Sequence, residues 1–454
     1  MKTVSIVGGG ASGTLVAVNL ARHATKENPV KINLIENRRY LCRGIAYASN
    51  EPFHLLNVPA GKISAFPDQP DDFLRWLAMR KNPATAHSAF LPRRVYGDYL
   101  SDLFQQATKA NAEAVIQVID GEAIDVNLAE RVELSLKSGR IIESDIMVLA
   151  FGNFPPPHPS VADGDFLNSP RYIRNIWQTN WIQMLRPSDT VAILGTGLSM
   201  VDTVLSLKYS GHKGRIIAIS TRGLVPAVHS SSSAISGTFI SDIKACRTVR
   251  QLMKRVRNEI RLREASGDNW RSVIDSLRPI TQTVWQNLAD REKRRFVVHV
   301  SRWWNIARHR MPPSVFEEFQ MLRASGQLEI CAARIRAIRQ SGRGFQIRTS
   351  GLAGELKIEA DMIVNCIASE SNFRRVESSL LQNLFNRGYV RTGPLGFGFD
   401  ALPNGAILDK NGFCQGRLFT LGTALKGLLW ETTAIPEIRE QAAALARLVL
   451  SKNE

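Results

Sequence analysis

The sequence predicts two tandem doubly wound α/β domains, the first discontinuous, with a helical insertion in the second. Three observations carry that prediction. A glycine-rich turn follows a short apolar run at the start of the 454-residue chain and again in mid-chain. Each turn leads into apolar residues of helical period. Each half then ends in an aspartate before a short buried run, Asp145-Ile146-Met147-Val148-Leu149 and Asp361-Met362-Ile363-Val364.

Thr3-Val4-Ser5-Ile6-Val7 reads as a strand and runs into Gly8-Gly9-Gly10-Ala11-Ser12-Gly13, followed by a helical pattern through Leu15, Val18, Leu20 and Ala21. This is GxGxxG in its required context of strand, tight turn and helix. Gly8 allows the turn, Gly10 lets the backbone approach a pyrophosphate, and Gly13 lets the helix pack close to the strand. The helix N-terminus then turns unpaired N–H groups toward the phosphates. The next strand, Lys31–Ile35, ends at Glu36, where a ribose hydroxyl pair is bound. The unit reads as Rossmann-like.

The second copy runs from Thr190–Leu194 into Gly195-Thr196-Gly197-Leu198-Ser199-Met200 and a helix through Val201, Val204, Leu205 and Leu207. Met200 replaces the third glycine, so the helix is expected to pack less closely there. The following strand, Arg215–Ile219, ends in Ser220-Thr221-Arg222 without an acid. Arg222 beside two hydroxyls suits a ribose 2′-phosphate and points to NADPH over NADH.

The duplication extends further. Val115–Ile119, Ala123–Asn127 and Arg131–Leu136 alternate like a three-strand meander, and Leu328–Ala332, Ile335–Arg339 and Phe345–Thr349 repeat it. Phe154-Pro155-Pro156-Pro157-His158-Pro159 reads as the crossing between domains, with His158 in an exposed loop. The expected division is 1–160 for the first nucleotide domain, 161–235 and 313–372 for the second, 236–312 for a helical basic insertion, and 373–454 for a return to the first domain. Ser230–Ser233 reads as a hinge before the insertion.

Composition narrows the class. Apolar residues at 44% and charged residues at 22% are globular values. No apolar run is long enough for a membrane span, and the N-terminus lacks the pattern of a secretory signal. A cytoplasmic protein is expected. Cys42, Cys246, Cys331, Cys366 and Cys414 stand more than thirty residues apart, which excludes CxxC pairs and the usual zinc spacings. No metal site is expected. The net charge is 58 − 41 = +17. Residues 242–310 carry 17 Lys+Arg against 7 Asp+Glu, so more than half the surplus lies in the insertion. Arg247, Arg250, Lys254, Arg257 and Arg261 form a basic stripe there, read as a solvated face or as a lid attracting an anionic substrate or NADPH. No nucleic-acid module is present, and the sequence carries no signal of oligomeric state. Trp303-Trp304 read as core.

Further motifs span most of the chain: Arg43-Gly44-Ile45-Ala46-Tyr47, His54-Leu55-Leu56-Asn57-Val58-Pro59, Pro92–Leu100, Leu277-Arg278-Pro279, Arg308-His309-Arg310-Met311 and Leu429-Trp430-Glu431-Thr432-Thr433-Ala434-Ile435-Pro436-Glu437-Ile438-Arg439. With the two glycine turns, they resemble the two-dinucleotide-binding-domain flavoproteins that include flavin-containing and N-hydroxylating monooxygenases. More closely, the chain resembles bacterial FAD-NAD(P)-binding proteins. The resemblance implies FAD at Gly8, Gly10, Gly13 and Glu36, and NAD(P)H at Gly195 and Gly197. Ala11, Ser12, Arg43, Gly152, Leu198, Ser199, Arg222, Gly422 and Thr433 complete the expected cofactor-binding set. Asn168 stands where Baeyer–Villiger oxygenases carry a histidine, which argues against that branch. Leu421-Gly422-Thr423 replaces the usual Gly-Asp before the last helix.

The stretch Arg43–Asp71 is expected to lie over the flavin, with Asn57 as a hydrogen-bonding group and His54 as a proton carrier or a packed loop residue. Arg93, Tyr96 and Tyr99 share a helix face that reaches the FAD phosphates or serves packing. Pro436 suits the first turn of the last helix, and Trp430 and Glu431 before it are expected to wall the active site. The expected function is an FAD-dependent, NADPH-using oxidoreductase, a monooxygenase on a small amine-bearing or anionic substrate. The alternative is a non-catalytic or regulatory flavoprotein that docks an acidic partner through its basic insertion.

Overall fold

The computed structural model describes residues 1–80, 85–161, 164–177, 180–230, 235, 237–351 and 354–451. Through the first third run β1 (Lys2–Val7), α1 (Ala11–His23), β2 (Val30–Ile35), α2 (Gly44–Tyr47), α3 (Asp72–Met79), α4 (Arg93–Ala110), β3 (Ala114–Ile119), β4 (Ala123–Leu128), β5 (Val132–Leu136), β6 (Ile141–Ser144) and β7 (Ile146–Leu149). Then come β8 (Tyr172–Ile173), β9 (Val191–Leu194), α5 (Leu198–Tyr209) and β10 (Ile216–Ser220). Six helices follow: α6 (Thr238–Ala245), α7 (Val249–Ala265), α8 (Trp270–Leu277), α9 (Thr281–Gln286), α10 (Asp290–His299) and α11 (Ser301–Arg308). The chain closes with α12 (Pro313–Ala324), β11 (Leu328–Ser341), β12 (Gly344–Gly351), β13 (Gly354–Ala360), β14 (Met362–Asn365), α13 (Ser379–Asn386), β15 (Ala406–Leu408), β16 (Cys414–Thr420), α14 (Lys426–Leu429) and α15 (Ile435–Ser451).

The first sheet has the order β15-β16-β7-β1-β2-β3. It is parallel except where β15 meets β16. Val4–Val7 of β1 and all of β7 are buried because both faces are covered. One face packs on α1, α4 and α15 through Leu15, Val18, Leu100, Leu445 and Val449. The other packs on α13 and on the small β4-β5-β6 sheet through Val126, Leu134, Leu380 and Leu384.

The second sheet has the order β13-β12-β11-β10-β9-β14-β8. Its core strands are parallel, while β11, β12 and β13 continue it antiparallel. α5 and α12 cover one face through Val201, Val204, Phe319 and Leu322. The insertion α6–α11 leaves the chain after β10 and has a small core of its own, including Phe239, Ile243, Val273 and Leu277.

The duplication seen in the sequence is present atom by atom. Asp145 accepts the N–H of Thr3 (2.7 Å), and Asp361 accepts that of Thr190 (2.8 Å). Each aspartate ties the end of a meander strand to the first strand of its sheet. The meanders themselves differ from expectation. Val115–Ile119 belongs to a parallel strand paired with β2, and the first meander is β4-β5-β6. Leu328–Ala332 and Ile335–Arg339 form one long strand, parallel to β10 at its start and antiparallel to β12 afterwards. Alternating side chains fit a parallel edge strand as well as a meander strand, so the pattern did not separate the two. His158, expected in the open, is half-buried with Nδ1 3.1 Å from the Tyr172 hydroxyl. Of the expected hinge, Ser231–Ser233 lie outside the described residues.

The two sheets are tied together by α4 and α5. The Arg93 guanidinium donates to Asp202 at 2.7 Å, with both side chains largely buried. Phe53 stacks on Tyr209 at 4.3 Å between ring centroids. Tyr96 and Tyr99 are fully buried against Phe73, so this helix face serves packing.

A side chain at Gly13 would collide with the Gly8 carbonyl and the Ile6 side chain. Gly13→Ala is expected to destabilise the fold by about 1–3 kcal/mol, the usual cost of overpacking. Urea unfolding checks this, and an unchanged midpoint would contradict it.

Candidate functional site

The two glycine turns are built alike. The Gly8 N–H donates to the Ile35 carbonyl (2.9 Å), and the Gly195 N–H to that of Ile219 (2.8 Å). Both glycines have positive φ, +102° and +105°. A Cβ on Gly8 would stand 2.5 Å from the Ala150 carbonyl oxygen, and one on Gly195 2.6 Å from that of Cys366. Only glycine permits this approach. α1 and α5 start at Gly10 and Gly197 with no side-chain cap and no acid in the first turn. Among the described residues the N–H groups of Ala11, Ser12, Gly13, Leu198 and Ser199 are therefore open to an anion, while the Met200 N–H returns to the Gly197 carbonyl (3.0 Å). Nothing lies within 4 Å of a Cβ built on Gly197 or Gly152. That is the space a pyrophosphate or ring needs.

The acid after β2 is held by the first turn. Glu36 accepts the Gly9 N–H (2.9 Å) and the Asn37 N–H (2.8 Å). Burial raises its carboxyl above the ordinary value, and those two donors oppose the rise. Its counterpart after β10 is Ser220, which accepts from Thr196 Oγ1 (2.9 Å) and the Gly223 N–H (3.1 Å). Arg222, two residues on, is exposed beside this turn. Met200 fills the third-glycine position and is fully buried.

The C-terminal segment closes over the first turn. A Cβ on Gly422 would lie 3.4 Å from Ser12 Oγ, so the two residues are neighbours. The Gly422 N–H donates to Gln441 of α15 (2.8 Å), and Thr432 Oγ1 donates to the Gly422 carbonyl. Thr423 Oγ1 donates to Asn153 Oδ1 (3.4 Å) next to Gly152. Thr433 is exposed just before α15.

The insertion grips this segment. Trp285 Nε1 donates to the Gly427 carbonyl (3.0 Å), and Trp304 Nε1 to Glu431 Oε1 (2.7 Å). Gln282 donates to the Glu431 carbonyl, and Arg278 forms two hydrogen bonds with Glu437. Trp430 packs on Trp285 (4.8 Å) and Phe296 (5.2 Å). Its φ of +63° is a strained conformation for an aromatic residue. Arg308 and Lys426 flank the buried Glu431 carboxylate, and burial lowers the pKa of both cations. Burial lowers His309 as well, with Arg308 and Lys426 adding to the effect and Glu431 opposing it.

The remaining expected residues fall elsewhere. His54 is buried between the domains, with Nδ1 on Ser49 Oγ (2.7 Å) and Nε2 on Ser206 Oγ (2.9 Å). Both ring nitrogens are engaged, which is the packed-residue reading. Arg43 donates to Asp98 (2.7 Å) and lines a cavity of about 1120 Å³ between the domains. That cavity touches neither glycine turn. The Asn57 carbonyl accepts from His229 Nε2 (3.0 Å). Trp303, read as core, is 49% exposed. Arg247, Arg250, Lys254, Arg257 and Arg261 are all exposed. Sequence reasoning missed Gln441 and Trp285, whose partners lie far away in the chain. Among the described residues no group of His, Cys, Asp or Glu is arranged for a metal. Cys366 and Cys42, nearest the turns, are pushed up to about 12 and about 11 by burial and are protonated thiols.

The chain matches solved structures over its whole length. It is similar to the ornithine N-hydroxylase of Kutzneria sp. 744, solved with reduced FAD, NADP+ and L-ornithine, at 13% identity, 99% coverage of both chains and a TM-score of 0.65. The fold is that of the two-dinucleotide-binding-domain flavoproteins. The L-lysine 6-monooxygenase of Pseudomonas syringae matches equally, at 13% identity, 99% coverage of both chains and a TM-score of 0.65. The bacillithiol disulfide reductase of Staphylococcus aureus follows at 12%, 100% of both chains and 0.59. Residues 5–154 match the FAD-NAD(P)-binding family. No curated protein matches the chain by sequence. Among the described residues no helix is long and apolar enough to cross a membrane.

This geometry makes two outcomes testable. Arg222→Ala is expected to weaken NADPH binding by about 1.5–3 kcal/mol, the worth of a charged hydrogen bond, and to leave NADH binding nearly unchanged. Parallel titrations with the two nucleotides check it, and equal losses would remove the role. The second concerns acid stability. Burial lowers His229 from 6.5 to about 4, with Arg310 and Arg308 adding to the effect and the Asn57 carbonyl and Asp275 opposing it. The unfolded chain therefore binds a proton that the folded chain refuses, so stability falls as pH drops from 6.5 toward 4. His229→Gln keeps a donor for Asn57 and is expected to flatten that fall in urea midpoints between pH 7 and pH 5.

Proposed function

We propose that the chain is an FAD-dependent, NADPH-using oxidoreductase, a monooxygenase acting on a small molecule in the cytoplasm. The observation that carries this reading is the pair of uncapped glycine turns, one followed by Glu36 and the other by Ser220 and Arg222. In this reading FAD lies along Gly8, Gly10, Ala11, Ser12 and Gly13, with its ribose at Glu36. Gly152, Gly422 and Thr433 line its flavin half. NADPH lies along Gly195, Gly197, Leu198 and Ser199, with its 2′-phosphate at Arg222. Arg43 is engaged by Asp98 and would act on FAD only through the position of α2.

When bound, FAD accepts hydride from NADPH and passes the electrons to oxygen. The chain's own groups do the rest. The first N–H groups of α1 and α5 hold the phosphates. Glu36 accepts hydrogen bonds from ribose hydroxyls. The insertion holds Trp430 and Glu431 and keeps the Glu431 carboxylate from water, which strengthens its electrostatic interactions. The monooxygenase assignment is supported by relatives named for the hydroxylation of ornithine and lysine, which share the fold along their whole length. A disulfide reductase shares it too. The thiols are dispersed, and burial keeps Cys42 and Cys366 protonated, which favours the oxygenase branch.

The test is spectroscopic. The FAD-loaded protein is expected to lose its flavin absorbance when NADPH is added without oxygen, and to recover it in air with consumption of oxygen. Bound flavin that NADPH cannot bleach would sink the proposal.

A further inference from the structure

The insertion forms a second cavity, half-open to solvent and of about 480 Å³, that neither glycine turn touches. Its walls come from α6–α11 and from Trp430 of the C-terminal segment, and include Leu252, Val256, Ile274, Val284 and Phe296. We infer that this cavity receives the substrate and that the substrate is an apolar acid, a hydrocarbon ring or chain carrying one carboxylate. The inference deepens the proposed oxidoreductase reading, on which its catalytic meaning rests.

The size comes first. Protein interiors hold few voids larger than a water molecule, whereas ligand pockets run to several hundred cubic ångströms. A half-open cavity lined this way leaves apolar surface against water, so an apolar guest that covers that surface stabilises the fold. Its walls are aromatic and aliphatic, and the half-exposed Trp303 lies among them.

Charge supplies the second constraint. Arg257 lines the cavity and makes no ion pair among the described residues. Arg250, Lys254 and Arg261 lie on the same exposed stripe of α7. Glu431 is engaged by Trp304 and Arg308, and Glu259 by Arg263. A carboxylate entering here meets the Arg257 cation, whereas no Asp or Glu among the described residues lines the cavity to meet an ammonium group.

The third constraint is position. Trp430 forms part of the wall, and Thr432, two residues on, is bonded to Gly422 above Ser12. A guest against the Trp430 ring therefore lies beside the segment proposed to line the flavin half of FAD.

Five of the chain's eight tryptophans, Trp270, Trp285, Trp303, Trp304 and Trp430, line this cavity, so intrinsic fluorescence reports its filling. The experiment titrates the FAD-loaded protein with decanoate, decylamine and L-ornithine, and reads fluorescence, melting temperature and NADPH consumption. Decanoate is expected to bind saturably, at least about tenfold more tightly than either amine, a difference of one charge contact. It is also expected to raise the melting temperature. Val284→Trp and Leu252→Trp, which fill the cavity, should abolish that binding while NADPH still bleaches the flavin. Arg257→Glu, a surface change, should erase the preference for the acid. Tighter binding of an amine, or undiminished decanoate binding in the filled variants, would overturn the inference. So would a concentration-dependent dimer that breaks on Leu252→Trp, because a second copy would then cover the cavity. Failure of NADPH to bleach the flavin would strike the oxidoreductase reading alone, since the fluorescence titration does not depend on it.

Discussion

Two backbone carbonyls, of Ala150 and Cys366, stand where side chains on Gly8 and Gly195 would have to be. This close approach lets β7 and β14 run up against the turns and fixes where α1 and α5 begin. Among the described residues it leaves the N–H groups of Ala11, Ser12 and Gly13 in α1, and of Leu198 and Ser199 in α5, without internal partners. The aspartates that open β7 and β14 set the register of that approach by bonding to Thr3 and Thr190. The anion-binding capacity of each half is thus a consequence of strand packing.

The two halves diverge where their ligands would differ. Glu36 takes two backbone donors at the end of β2. At the corresponding place at the end of β10, Ser220 is spent on holding its own turn, and an exposed cation, Arg222, stands two residues on. The insertion adds an asymmetry of another kind. It leaves the chain from the second domain yet fastens on the C-terminal segment of the first, through Arg278–Glu437, Trp285–Gly427 and Trp304–Glu431. Desolvated charges at Glu431, Arg308 and Lys426 make that junction costly to open, because separating any one would leave another buried and unpaired.

The glycine turns were legible in the sequence because their requirement is local: a strand, a positive φ, a helix start. The repeated aspartates were legible for the same reason. The meanders were partly misread, since Val115–Ile119 alternates whether its neighbour is parallel or antiparallel. His54 could not be read, because its partners Ser49 and Ser206 belong to different domains. The cavity was invisible as well. Trp285, Trp304 and Trp430 meet only through the docking of the insertion, and Trp303 looked like core because its type usually is. Periodicity reports which residues are buried and says little about which buried residues leave a space between them.

The first domain is assembled from both ends of the chain. α15 packs on α1, and Lys2 Nζ donates to the Val449 carbonyl (2.9 Å), across a sequence separation of 447 residues. β16 supplies the neighbour of β7. During synthesis the first sheet therefore waits, with the α15 side of α1 uncovered, until β16 and α15 have emerged. The second sheet, contiguous from β8 to β14, has all its strands much earlier. The half translated first is the half completed last, and its exposed apolar face in the interim is where a chaperone would find its purchase.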